Sequence, residues 1–393
     1  MAGIPAVLLP SALDRLPPSI RRVAKAACAL DSSLEDANAL VEILNNTTES
    51  NLGQFLPVFF AFLHPSLIPT SQDLDVAALS FRNVHRVHSA QQALNAVYRL
   101  EIPAAAQSSL LSRAFAWLQF FLMFEEYLPT VAAFDAGNSC VNFIIFSQTL
   151  NEKSLGLMIA STRFFALVAR AWNLLLTFED HELQLLGLQC VFAFTDSLDE
   201  ASHCREELIE GAGHTLDDLA ALVAETISLI VASKDRPMSL QSGDLLDKVL
   251  DFVLKFDGLE PMPTTRMLPP LCAAMISQRL VERLTIALCA LVETTITASV
   301  SSSALDKALL ILAYIFLSPG GYRNIPDTAK TGFFRVVIAV GRRQLPAQHF
   351  KVILGQMFAP ATVYYTVLSG ISEAFREVEG LALSEPFRQS TVF

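Results

Sequence analysis

Apolar residues recur at three- and four-residue spacing in segment after segment of this 393-residue chain. Leu155, Met158, Phe164, Phe165, Val168, Trp172 and Leu175 form one such stripe, and Leu216, Leu219, Leu222, Val223, Ile227 and Ile230 form another. The spacing matches the 3.6-residue helical turn, so each stripe is the buried face of an amphipathic helix and no segment needs the alternation of a strand. The expected fold class is all-α, with about eighteen helices at roughly 11–30, 34–45, 50–63, 73–84, 88–99, 103–126, 139–150, 153–177, 181–195, 197–210, 215–233, 241–256, 267–277, 279–298, 304–318, 327–341, 346–357 and 362–377. Short links between helices of similar length favour antiparallel neighbours. A long series of such pairs stacks as an α-solenoid of armadillo or HEAT type. No strict sequence repeat accompanies the periodicity.

The residues between stripes carry the chemistry of helix ends. Thr215 with Asp218 and Ser303 with Asp306 resemble capping boxes, with Asp in place of the usual Glu. Gly211 and Gly213 close one helix before Thr215 opens the next, and Pro319, Gly320 and Gly321 stop the helix that begins near Ala304. The chain therefore reads as one elongated helical domain over 1–393. A candidate hinge lies at 232–270, where Ser, Pro, Gly and Asp cluster.

Composition narrows the setting. Hydrophobic residues make up 52% and charged residues 17%, which excludes a self-solvating disordered chain. A mean hydropathy of +0.43 raises the question of a membrane. The longest stretch without Asp, Glu, Lys or Arg, Ser50 to Gln72, is interrupted by Pro57, Pro65 and Pro69, whereas a spanning helix needs about 20 predominantly apolar residues. The runs Ala114 to Phe124 and Ala308 to Leu317 are shorter still, so no membrane partner is expected. The first ten residues lack the basic start and small-residue cleavage site of a secretory signal, which predicts an intracellular protein, cytoplasmic or nuclear. A net charge of −11 disfavours direct nucleic-acid binding. The basic groups Arg15, Arg21, Arg22, Lys25 and Arg342, Arg343 read as solvated helix faces.

No pattern of reactive side chains assigns a catalytic, cofactor-binding or metal-binding residue. Cys28, Cys140, Cys190, Cys204, Cys272 and Cys289 contain no C-x-x-C and read as small core hydrophobes. His85 and His88 are three apart, with Arg86 and Val87 between them, and so miss the two-histidine, glutamate-following pattern of a zinc protease. His181, among Glu179, Asp180 and Glu182, and His203, before Cys204, Glu206, Glu207 and Glu210, read as helix starts with acidic first turns. Gly211-Ala212-Gly213 lacks the preceding strand and third glycine of a dinucleotide fingerprint. Trp117 and Trp172 sit on leucine- and phenylalanine-rich stripes and read as core, with a groove for a partner helix as the sharper alternative. No enzyme activity and no small-molecule substrate are expected.

Six segments carry a family resemblance. Arg15 to Cys28 (RLPPSIRRVAKAAC), Phe55 to Thr70 (FLPVFFAFLHPSLIPT), Ala116 to Phe121 (AWLQFF), Ala166 to Leu176 (ALVARAWNLLL), Leu208 to Leu222 (LIEGAGHTLDDLAAL) and Pro319 to Val337 (PGGYRNIPDTAKTGFFRVV) resemble, in that order, the helical N-terminal region of MYND-type zinc-finger proteins of mushroom-forming fungi. In that family a zinc-binding MYND finger follows the helical region. Thr362 to Phe393 contains neither Cys nor His, so no family ligand maps onto this chain, and zinc is expected only in a longer form that carries the finger. The resemblance implies a non-enzymatic scaffold or interaction module with protein partners. Two other classes stay open: a fragment or finger-less member of a transcription-regulatory MYND protein, and an enzyme or apolar-ligand carrier, which requires an enclosed pocket with converging polar groups.

Overall fold

Every regular element among the described residues of the computed structural model is a helix, as the periodicity requires. The structure describes residues 4–29, 34–70, 81–124, 136–198, 203–232, 238–260, 267–293, 298–343 and 352–382. The chain divides into two compact units, Met1–Leu174 and Leu175–Phe393.

The first unit opens with 3-10 turns at Ala6–Leu8 and Pro10–Arg15, followed by α1 (Pro18–Ala27), α2 (Leu34–Asn45), α3 (Glu49–Leu52) and α4 (Leu56–Phe62). It continues with α5 (Phe81–Val97), α6 (Ala104–Met123), α7 (Ala136–Ser147), α8 (Glu152–Ile159) and α9 (Phe164–Leu175), the last ending at the boundary. Phe59, Trp117, Phe121, Phe143, Phe164 and Trp172 are among its largest fully buried side chains. Gln107 on α6 ties elements together: its Oε1 accepts from the Asn151 backbone at 3.0 Å and its Nε2 donates to the Ile102 carbonyl at 3.1 Å. Asn151 in turn caps α8 by accepting from the Ser154 N–H at 2.9 Å.

The second unit comprises α10 (His181–Phe192), α11 (Cys204–Ala212), α12 (Leu216–Val231), α13 (Leu240–Asp257), α14 (Pro270–Ser277), α15 (Leu280–Glu293), α16 (Ala298–Leu317), α17 (Ile325–Lys330), α18 (Phe333–Arg343), a π-helical turn at Ile353–Phe358, and α19 (Tyr365–Ala382). Its neighbour pattern alternates. Helix α13 packs against both α10 and α16, while α15 packs against both α12 and α18, and α12–α13 and α15–α16 join the two rows. Phe192 meets Phe252 edge-on at 5.7 Å across α10 and α13, and Lys307 of α16 reaches Asp247 and Asp251 of α13 at 2.9 and 3.2 Å. Arg283 of α15 donates to the Ala224 carbonyl and, at 2.7 Å, to Ser228 Oγ of α12.

Four expected helices break where periodicity alone runs on. The helix expected at 11–30 divides at Pro17 and Pro18, because Pro18 suits a first helical position and Pro17 holds extended ψ before it. That at 50–63 passes through a 3-10 turn, Gly53–Phe55, before α4 restarts around Pro57. The helix expected at 153–177 is α8 and α9, bent by 94° at a break where Arg163 takes a left-handed φ of 69°. Phe164 and Phe165 are both buried directly after it, so the apolar stripe continues although the backbone turns. That at 327–341 divides at Gly332, φ 115°. Conversely, α16 reaches back to Ala298, so Ser303 is interior to it and forms no N-cap. Residues 73–80 of the helix expected at 73–84 and residues 346–351 of that at 346–357 lie outside the described residues. Among the described residues no single helix is long and apolar enough to cross a membrane.

The stretch 232–270 lies inside the second unit and is pinned at its described end. Asp257 accepts from the Leu271 and Cys272 N–H groups at 3.0 and 2.9 Å, capping α14, whose own flanking residue Pro269 has no capping side chain. Tyr314 Oη accepts from the Glu260 N–H at 3.2 Å and donates to its carbonyl at 3.1 Å. Burial raises the Asp257 pKa despite the two amides that favour its ionised form. The folded pKa then exceeds the unfolded one, so the stabilisation is full below the unfolded value near 3.8 and declines as pH rises through the folded value. Asp257→Ala should cost about 1–2 kcal/mol, and the gap to the parent, measured by urea midpoints from pH 3.5 upward, should narrow with rising pH.

Candidate functional site

Helices α5 and α7 of the first unit bury one face each and leave a polar cleft between their other faces. Val87, Ala90, Leu94 and Val97 of α5 and Cys140, Phe143 and Ile144 of α7 are fully buried. The cleft, about 410 Å³, is lined on the α5 side by Gln91, Asn95, Tyr98 and Arg99, and on the α7 side by Asn138, Ser139, Asn142, Ile145 and Phe146. Residues four apart share a helix face, which is why Gln91, Asn95 and Arg99 line one wall and Asn138 and Asn142 the other. Arg99, just past the end of α5, is the one charged side chain among the described lining residues and is exposed, as are Asn95 and Asn142.

Tyr98 forms part of the floor. Its ring lies 6.2 Å from Phe143, edge-on, and 5.9 Å from Phe146. Its hydroxyl is buried and has no hydrogen-bond partner among the described residues. Burial, reinforced by the nearby Cys140 thiol, pushes the phenol well above its ordinary range, so it stays a neutral, unpaired donor beneath the cleft. Among the described residues the lining contains no carboxylate, imidazole or thiol. The described lining offers paired hydrogen-bond donors and acceptors and one cation.

The residues singled out from sequence fall elsewhere or play structural parts. His85 and His88 lie inside α5, three apart, with His88 Nε2 at 3.0 Å from Gln92 Nε2; burial, and secondarily His88, lowers the His85 pKa. His181 is the first residue of α10, whose cap is Asp180, accepting from Glu182 and Leu183 N–H at 2.9 and 3.1 Å. His203 stands at the start of α11 with Nε2 at 3.8 Å from Glu207 Oε1. Gly213 ends α11 with φ 146°, and Thr215 and Asp218 form the expected reciprocal capping box. Trp117 and Trp172 are fully buried. No group of three or more His, Cys, Asp or Glu residues able to hold a metal occurs among the described residues.

Burial raises the pKa of five of the thiols, those of Cys28, Cys190, Cys204, Cys272 and Cys289. Burial pushes Cys28 and Cys289 up to about 11 and Cys272 well above the usual thiol value. The cleft residues escaped the sequence reading because carboxamides belong to no catalytic pattern. The available signal was an amide at i and i+4 on two separate helices. The chain matches no protein-family model, no curated protein and no solved structure.

Proposed function

We propose that this chain is a non-enzymatic, intracellular protein-interaction module built of stacked antiparallel helices, akin to the helical region of fungal MYND-type zinc-finger proteins. The observation that carries the interaction reading is the lining of the α5–α7 cleft, open to solvent and rich in carboxamides, with no side chain suited to general acid–base work among the described residues. The stacked arrangement is supported by the second unit, where α10, α13 and α16 are successive neighbours in one row and α12, α15 and α18 in another. Alternate helices joining into two rows is how a helical array propagates, each pair covering the apolar faces of the next.

Proximity labelling with the full chain in its native host tests the reading. A reproducible set of protein neighbours, recovered again by pull-down with the purified chain, is the expected result. Failure of both to return any shared protein sinks it.

A further inference from the structure

Resting on that interaction reading, we propose that the α5–α7 cleft binds the C-terminal segment of a partner polypeptide in extended form, with its free carboxylate on Arg99. The spacing of the walls supports this occupant. Residues four apart on a helix rise by about 6.0 Å. Equivalent backbone groups on one side of an extended peptide repeat every two residues, about 6.6–6.8 Å. Gln91 and Asn95 on the α5 wall thus stand at nearly the repeat of a strand edge, with Asn142 on the other wall. Each carboxamide offers a donor and an acceptor, the pair that a peptide N–H and C=O require. A side-chain torsion absorbs the residual mismatch of under about 1 Å per rung.

The ladder is short and has a charged end. From Gln91 to Arg99 is two turns, about 12 Å, which matches three to four extended residues. Arg99 follows the amides instead of interrupting them, so the ligand's negative charge belongs at its end and not in its middle. A guanidinium fork pairs with a carboxylate through two parallel hydrogen bonds, and on a chain of net charge −11 this cation marks the place where an acidic terminus is accepted. Ile145 and Phe146 supply apolar surface for one side chain of the peptide.

The test uses the full chain and three pools of acetylated random tetrapeptides: free C-terminal acid, C-terminal amide, and amide with one internal Glu. Retained peptides are read by mass spectrometry, and one is titrated by fluorescence anisotropy. Selective retention of the free-acid pool is expected. Arg99→Gln and Asn142→Leu should each weaken the selected peptide about tenfold or more, while Arg279→Gln, which removes a surface charge of the second unit, should leave it unchanged. Equal retention of the amide pool, preference for the internal-Glu pool, no retention, or unchanged binding in both cleft variants each overturns the proposal. If the cleft fails in this way while proximity labelling still returns partners insensitive to Arg99→Gln, only the peptide site is lost. If labelling returns none, the interaction reading itself has failed.

Discussion

Trp172→Ala is expected to destabilise the first unit by about 3–5 kcal/mol, a large part of the 5–15 kcal/mol typical of a folded domain. The ring is fully buried on α9, in a helix that also buries Phe164, Phe165, Leu167, Val168 and Ala169. Truncation removes the largest apolar surface of that helix from the core and leaves a void that close-packed neighbours only partly fill. Trp172→Phe retains most of the contact and should cost clearly less. Urea unfolding followed by circular dichroism measures both. A loss below about 1 kcal/mol for the alanine variant is incompatible with a fully packed ring.

Gly321→Ala should destabilise the second unit by about 1–3 kcal/mol or more, and by more than Gly320→Ala. The two glycines are neighbours with different reasons for lacking a side chain. Gly320 has φ 81°, and a Cβ there meets nothing within 4 Å, so alanine suffers only the left-handed backbone penalty of about 1–2 kcal/mol. At Gly321 a Cβ would run into the carbonyl oxygens of Ile315 and Phe316 at the end of α16. Those atoms are backbone and cannot rotate aside as a side chain can. Equal midpoints for the two variants, or a larger loss at Gly320, would show that the close approach of the turn to α16 is not real.

These glycines mark how far local sequence reaches. Pro319, Gly320 and Gly321 are legible as the stop of a helix, which indeed ends at Leu317, but nothing local distinguishes a glycine needed for its torsion from one needed for its absent Cβ. Thr215 and Asp218 are equally legible, because a capping box is complete within four residues. Ser303 and Asp306 share that spacing and form no cap, since the helix runs back to Ala298. The turn at Arg163 has no signal at all. A non-glycine residue takes the left-handed conformation there, and the apolar stripe passes through it unbroken.

The candidate site shows the same division on a larger scale. Gln91, Asn95 and Arg99 share a face by helical geometry, and so do Asn138 and Asn142, which any reader of the sequence can compute. That the two faces line one cleft depends on Tyr98 packing against Phe143 and Phe146, residues that α6 separates in the chain.

By itself the sequence determined the all-helical class, most helix positions and the Thr215–Asp218 cap, because these follow from a 3.6-residue period and from hydrogen bonds made within one turn. Only the tertiary structure decided where the apolar stripes bend, that the chain forms two compact units, and which polar faces meet across a cleft. Those outcomes rest on packing between residues distant in the chain, where many pairings of similar apolar faces satisfy the same local pattern and shape complementarity selects among them.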